Sequence, residues 1–498
     1  MIELSLAQIA RIVGGELADV SPAEAEATRV TGTVEFDSRA VTHGGLFLAL
    51  PGAHSDGHDF AAGAVAAGAV AVLAARPVGV PAIVVPPVDA PADAGAGVLE
   101  HDVDGSGAAV LQALAKLAAA VAAELVAGGL VIVGVTGSSG KTSTKDLLAA
   151  VLAPLGEVVA PPGSFNNELG HPWTVLRATT ETDYLILEMS ARHPGNIAAL
   201  ARIATPSIAV VLNVGTAHLG EFGSREAIAA TKAELPQSVP ASGVVVLNAD
   251  DAKVAAMAEQ TAARVVRVGR SPGLDLWADG VVLDDLARAR FTLHAGDDEI
   301  DVALAVHGDH QVSNALCAAA VALQCGARLD QVAAALAAAG PVSRNRMQVG
   351  TRADGVTVIN DAYNANPDSM RAGLKALAWM ARSGGDAGSG RRRSWAVLGE
   401  MAELGDDAIA EHDSIGRLAV RLDVSRLIVV GTGRSMSAMH HGAVMEGSWG
   451  SESTMVADPD AALELLRDEL LPGDVVLVKA SKSAGLAALA DALAGETG

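Results

Sequence analysis

Residues 135–146 read VTGSSGKTSTKD and join an apolar run, LVAGGLVIVG, to a helix-like segment, LLAAVLAPLG. The spacing of glycines, lysine and threonine there is suited to holding phosphates. Gly137 and Gly140 let backbone N–H groups turn inward on an anion, and a helix N-terminus just behind them adds partial positive charge. Lys141 can neutralise β- and γ-phosphate oxygens, and the Thr142 hydroxyl can take a position on Mg²⁺. The candidate nucleotide cradle is therefore Gly137, Ser138, Ser139, Gly140, Lys141, Thr142 and Ser143. The strict phosphate-loop pattern fails at one place, because Val135 stands where its first glycine belongs. A strand–helix turn that binds nothing is the bland alternative; Gly-Lys-Thr at this junction favours phosphate.

Further along, LILEMS places Glu188 at the C-terminal end of an apolar strand, and VLNVGTAHLG places Asn213 and His218 at the end of the next. Ligands of open parallel sheets bind at that edge. A carboxylate and a histidine beside a phosphate loop compose a Mg²⁺ and phosphate site. Taken singly, Glu188 reads as a salt-bridge partner and His218 as a loop histidine; their joint placement carries the argument. Lys232, in AIAATKAELP, reads from its chemistry alone as a solvated helix lysine.

The elements that must position these groups alternate between short apolar strands and helices. YLILEMS, SIAVVLNVG and GVVVLNADD interleave with helical segments, as expected of a mostly parallel sheet covered on both faces. GVTVIND, SWAVLGE, RLIVVGTG and DVVLVKAS repeat the arrangement near the end of the chain, predicting a second doubly wound domain. The passage DAPADAGAGVLEHDVDGSG has no periodicity and reads as a linker or long loop, and 381–394 as a flexible surface loop. The expectation is an α/β protein of three domains: 1–108, a central P-loop domain with a parallel sheet at 109–340, and a Rossmann-like domain at 341–498. At the N-terminus, Ser5 with Gln8 predicts a capping box opening a short helix that ends at Gly14 and Gly15.

With 498 residues, half of them hydrophobic and only 3% aromatic, the chain has material for several Ala-rich helices on Val/Ile/Leu strands. Its 58 acidic and 35 basic residues give a net charge of −23. Such a chain repels nucleic acid and anionic lipid, so neither is expected as a partner. Two cysteines, Cys317 and Cys325, are read as buried small hydrophobes rather than a disulfide framework. MIELSLAQIARIVGG lacks the charge and cleavage pattern of a signal peptide, and 111–135 is interrupted by Lys116, Glu124 and glycines. A soluble cytoplasmic monomer without membrane insertion is the expectation.

TGSSGKTS, FNNELGHP, LEMSARHPGNI, NVGTAHLGEFGS, ATKAEL, NADD and GDHQVSNALCAAA together resemble the ATP-dependent Mur ligases of peptidoglycan synthesis, over nearly the whole chain. FDSRAVTHGGLFLALPGAHSDGHDF looks like the UDP-sugar-binding domain of that family. DAYNANPDSM with VLGEMAELG resembles the member that acts last in the series. The resemblance implies ATP-dependent joining of D-alanyl-D-alanine to UDP-N-acetylmuramoyl-tripeptide through an acyl phosphate. It implies that Lys141 and Thr142 hold phosphates and a first Mg²⁺, that Glu188 helps ligate that ion, and that His218 ligates a second. Lys232 matches a lysine that is carbamylated in the family and helps hold the second metal, reversing the solvated reading. Asn314 matches an adenine contact, Asp361 a ribose contact and Arg346 a γ-phosphate contact. Asn166 and Asn167 would meet the substrate near the reacting centre, and Ser38 and Arg39 the uridine nucleotide. Tyr363, Asn364 and Asn366 would lie on the dipeptide and nucleotide side of the last domain. Gln311 departs from the Asn common in that family, and KASKSAGL, with Ala480 and Lys482, replaces a Lys-Gly-Ser-Arg run. Competing readings are a ligase adding the third residue, a folate-type glutamate ligase, and a non-ligating nucleotide-binding P-loop protein. Two mobile domains brought to one site imply domain closure.

Overall fold

The computed structural model describes residues 1–52, 55–88, 99–216, 219–383, 391–447, 450 and 452–495. His218, half of the expected loop at 381–394 and the first part of the expected linker lie outside them. Three main sheets follow one another along the chain. In the first, strands run in the order Glu16–Ala18, Ala82–Val84, Ala69–Ala74, Gly45–Leu48 and Val34–Glu35, with only the first pair antiparallel. Before it, the capping box forms as expected: Gln8 N donates to Ser5 Oγ at 3.1 Å, Ser5 N donates to Gln8 Oε1 at 2.8 Å, and Gly14 closes the helix with φ 74°.

Among the described residues, the second sheet has nine strands. Its parallel part centres on the phosphate-loop strand Val131–Thr136, flanked by Tyr184–Glu188 on one side and Ile208–Val211 on the other. Side chains on these strands alternate between two cores: Leu185 and Leu187 pack into one cluster, Tyr184 and Ile186 into the other. Burial on both faces is what near-continuous apolar strands require. Beyond Val244–Asn248 and Arg264–Gly269, the sheet continues through Leu276–Leu283 and then turns antiparallel with Arg288–Ala295 and Asp298–His307. This extension departs from the expected parallel sheet. Its strands alternate exposed and buried residues, so a search for apolar runs passes over them.

The third sheet runs Gln348–Thr351, Thr357–Asn360, Val475–Lys479, Ser394–Leu398, Arg426–Val430 and Ser453–Val456, antiparallel only at its first pair.

Helix Ser106–Ala127 is long and apolar enough to cross a membrane by length and composition. Here Leu114, Leu117 and Val121 are fully buried in a core shared by the first two sheets. Burying each such side chain contributes roughly 1.5–3 kcal/mol, so the helix cements these two parts of the chain. Both cysteines are unpaired, and burial pushes their thiols up, to about 12 for Cys317 and about 11 for Cys325. The second and third sheets meet through side chains and loops. Trp379 Nε1 donates to Asp284 O at 2.9 Å, Thr216 N to Asp368 Oδ2 at 3.1 Å, and Arg192 pairs with Glu403 at 3.0 Å.

Candidate functional site

A cavity of about 1130 Å³ opens where the carboxyl edge of the central sheet faces the third sheet. The phosphate loop forms one wall. Gly140 has φ 81°, and a Cβ there would lie 2.8 Å from Asn314 Oδ1, so both backbone and space demand glycine. Lys141, at the first turn of helix Lys141–Leu152, donates from Nζ to Gly137 O at 2.7 Å. Burial lowers its pKa to about 8, against the pull of Glu188, and Arg346 adds repulsion. The loop is pinned by Asn213: Ser139 N donates to Asn213 Oδ1 at 3.0 Å, and Asn213 Nδ2 donates to Ser139 O at 3.1 Å. A turn held this way would need little reorganisation to receive an anion.

Thr142 sits at the centre of the polar contacts. Its Oγ1 lies 2.6 Å from Ser164 Oγ and donates to Glu188 Oε2 at 3.3 Å. Asn166 Nδ2 reaches the same carboxylate oxygen at 3.4 Å. Glu188 is 1% exposed, and its Oε1 has no hydrogen-bond partner among the described residues. Burial raises its pKa, opposed chiefly by Lys141 and Arg346. A buried acceptor without a donor is costly, and a hard cation is the partner that carboxylate and hydroxyl oxygens suit.

Lys232, on helix Arg225–Ser238, is buried rather than solvated, which corrects the reading from its chemistry alone. Burial drives its amine down to about 7, with Lys141 adding repulsion. The helix is fixed by Glu234, whose carboxylate accepts from Gly195 N at 2.6 Å and Ala198 N at 2.9 Å. Among the described residues, no cluster of three or more His, Cys, Asp or Glu forms a metal site. His218 lies outside those residues.

From the third sheet, Arg346 enters the cavity between two residues in the left-handed region, Asn345 at φ 57° and Met347 at φ 46°. Non-glycine residues there store strain of order 1–3 kcal/mol, and such strain collects at functional sites. The guanidinium stacks on Tyr363 at 4.1 Å and donates to Ser164 Oγ at 2.8 Å. Its buried Nε has no partner among the described residues. Asp361 accepts from Met347 N at 3.1 Å and is paired at 2.6 Å with Lys479, which also donates to Asn364 O at 3.0 Å.

The remaining expected residues divide. Asn314, Asn166, Asn167, Tyr363, Asn364 and Asn366 line the cavity, whereas the buried Glu188 and Lys232 are not among its lining residues. Several of these asparagines also serve local structure. Asn167 Oδ1 accepts from Gly170 N at 2.9 Å, Asn364 Oδ1 from Ala365 N at 2.9 Å, and Asn366 Oδ1 from Ser369 N at 2.9 Å. Ser38 and Arg39 are outside this cavity; Arg39 is exposed and paired with Asp37 at 2.7 Å. Sequence reasoning passed over Ser164 and Lys479. Ser164 stands two residues before Asn166, and Lys479 opens the KASK run, so position alone offered a weak signal.

Three family models match this chain: "Mur ligase family, catalytic domain" over residues 32–122, "Mur ligase middle domain" over 135–322, and "Mur ligase, glutamate ligase domain" over 345–482. Among curated relatives, UDP-N-acetylmuramoyl-tripeptide–D-alanyl-D-alanine ligases of Mycobacterium bovis and Mycobacterium leprae are 77% and 72% identical, covering 99% and 100% of this chain and 98% and 99% of theirs. The Escherichia coli ligase of the same name is 34% identical over 86% of each chain. Among solved structures, MurF from Acinetobacter baumannii superposes with a TM-score of 0.80 at 28% identity and 99% coverage of both chains. MurF ligase from Thermotoga maritima in complex with ADP gives 0.75 at 27% identity, over 94% of this chain and 98% of that one.

Proposed function

The chain belongs to the Mur ligase family, and from that premise we propose that it joins D-alanyl-D-alanine to UDP-N-acetylmuramoyl-tripeptide, converting ATP to ADP and phosphate. The identity of 77% to ligases of that name, over nearly the full length of both chains, carries this reading. It favours that reaction over addition of the third residue and over a nucleotide-binding protein that ligates nothing.

A carboxylate is a poor electrophile. The tripeptide's terminal carboxylate attacks the γ-phosphorus of ATP, ADP leaves, and a mixed anhydride forms. The amine of D-alanyl-D-alanine then adds to the carbonyl carbon, loses a proton, and the tetrahedral intermediate expels phosphate to leave the amide. Several anions must meet, so charge neutralisation and positioning are the protein's main contributions. Gly137 to Ser143 cradle the phosphates, Lys141 neutralises β- and γ-oxygens, and Arg346 meets the γ-phosphate from the opposite wall. Asn314 faces the adenine, and Asp361, held by Lys479, the ribose. Asn166, Asn167, Tyr363, Asn364 and Asn366 surround the carboxylate and the dipeptide, while Ser38 and Arg39 hold the uridine nucleotide at a distance.

Thr142 and the unpartnered Glu188 Oε1 fit Mg²⁺, which would be held there with His218 and a carbamylated Lys232 completing a second position. When bound, the metal supplies positive charge to the β- and γ-phosphate oxygens. An amine near pKa 7 is partly neutral at physiological pH, as attack on CO₂ requires. The residues 1–108, 109–340 and 341–498 are assigned to uridine-nucleotide binding, ATP binding and presentation of the dipeptide, in the cytoplasm. The acyl-phosphate route is tested with tripeptide carrying ¹⁸O in its terminal carboxylate. One ¹⁸O should appear in the released phosphate; unlabelled phosphate would contradict the mechanism.

A further inference from the structure

We propose that the Ser164 hydroxyl is a positioning group for phosphoryl transfer, seating Arg346 on the phosphate held by the glycine loop. The proposal rests on reading the cavity as an ATP-dependent ligase site and names a residue that this reading does not yet include.

Ser164 lies between strand Val158–Val159 and helix Gly170–Val175, on neither the phosphate loop nor the third sheet. Its Oγ is 2.8 Å from Arg346 Nη2 and 2.6 Å from Thr142 Oγ1, and Thr142 Oγ1 is 3.3 Å from Glu188 Oε2. The directions of these bonds follow from the donor inventory. A guanidinium only donates, Thr142 donates to Glu188, and each hydroxyl has one hydrogen. One arrangement satisfies all three contacts: Arg346 donates to Ser164, Ser164 to Thr142, and Thr142 to Glu188. The chain starts at a cation and ends on a carboxyl group, so each bond polarises the next.

The chain also spans the interface between the second and third sheets. Arg346 is fixed from its other side by Tyr363 and by the strained backbone at Asn345 and Met347. Its Nε remains buried without a partner among the described residues, on a side chain that lines the cavity. One edge of the guanidinium is thus held by Ser164, while its other N–H donors belong to a side chain that lines the cavity. A γ-phosphate is the group that such a donor, opposite Lys141, would meet.

The test uses the full chain and four variants: Ser164→Ala, Ser164→Thr, Arg346→Lys, and Ser164→Ala with Arg346→Lys. Phosphate release is followed with ATP, tripeptide and D-alanyl-D-alanine. Ser164→Ala should lower kcat by about 30-fold with the KM for the tripeptide changed less than about threefold, and Ser164→Thr should restore most of the loss. The double variant should be little slower than Arg346→Lys alone, because the two residues act as one unit. Calorimetric titration gives a readout independent of turnover. Ser164→Ala should leave ADP affinity unchanged and weaken the β,γ-imido analogue of ATP about tenfold, since only the analogue carries a γ-phosphate for Arg346. An unchanged kcat, additive losses in the double variant, or equal weakening of ADP and analogue would overturn the proposal. If the wild type itself releases no phosphate in response to D-alanyl-D-alanine, the ligase reading fails, while the nucleotide titrations still decide whether Ser164 seats Arg346.

Discussion

Replacing Lys479 by Met should destabilise the C-terminal part of the chain by about 3–5 kcal/mol, the usual result of removing one partner from a buried ion pair. Lys479 is 2% exposed, and its Nζ sits 2.6 Å from Asp361 Oδ2 and 3.0 Å from Asn364 O. Burial drives its pKa down, and Asp361 pulls it back up. Methionine fills nearly the same volume, so little of the loss comes from a cavity. Most comes from leaving the Asp361 carboxylate, 8% exposed, without its cation. Replacing Asp361 by Asn as well should therefore recover about half of the loss, roughly 2 kcal/mol. The single change should also lower kcat about tenfold, because Asp361 accepts from Met347 N and so holds the strained turn that presents Arg346. Urea unfolding followed by tryptophan fluorescence reads the effect. Trp395 lies on Ser394–Leu398, the strand beside Lys479, and is 1% exposed. A loss below about 1 kcal/mol, or a double variant less stable than the single one, would refute the reasoning.

Lys232→Met should reduce ligation by at least about 10²-fold while leaving the thermal midpoint equal or higher, since it removes a buried amine whose desolvation opposes folding. Phosphate release and a melting curve decide it, and an active variant would exclude a catalytic role for this lysine. His171 is fully buried, and burial lowers its pKa to about 4. The unfolded chain therefore binds its proton first, so stability is complete above the unfolded value near ~6.5 and falls as pH drops toward 4. About 2 kcal/mol should be lost from this group between pH 7 and pH 5, and His171→Phe should flatten that part of the urea-midpoint profile; parallel profiles would count against it. At Gly220 a Cβ would lie 2.5 Å from Gly405 N, backbone against backbone across the two sheets. Gly220→Val should hold these parts apart, giving a larger scattering radius with an ATP analogue and tripeptide and at least a tenfold lower kcat. Unchanged scattering would show that this contact does not limit closure.

Much of this site could be read before any coordinates, because its chemistry is concentrated in short segments at strand ends. The Gly-Lys-Thr turn, Glu188 and Asn213 lie on or beside three adjacent parallel strands, and the alternation of strands and helices places such ends on one edge. What stayed hidden depends on partners distant in sequence. Ser164 is an ordinary loop serine until Thr142 and Arg346 are placed on either side of it. Lys479 looks like the last residue of an apolar strand until Asp361 is found opposite. The burial of Lys232 was equally invisible, since a helix of mixed composition does not reveal which face is covered. The antiparallel extension escaped because its strands bury one face only. The asparagines were legible as a group, yet their local capping roles follow from turn geometry that residue type does not specify.

The central claim is that the acceptor of the activated tripeptide is D-alanyl-D-alanine. The most direct measurement is phosphate release by the full chain with ATP, Mg²⁺ and UDP-N-acetylmuramoyl-tripeptide, comparing no amine, single amino acids and the dipeptide. Release that depends on D-alanyl-D-alanine, with the UDP-linked pentapeptide identified by mass, is the predicted result. Release driven instead by a single amino acid, or none with any amine, would contradict it.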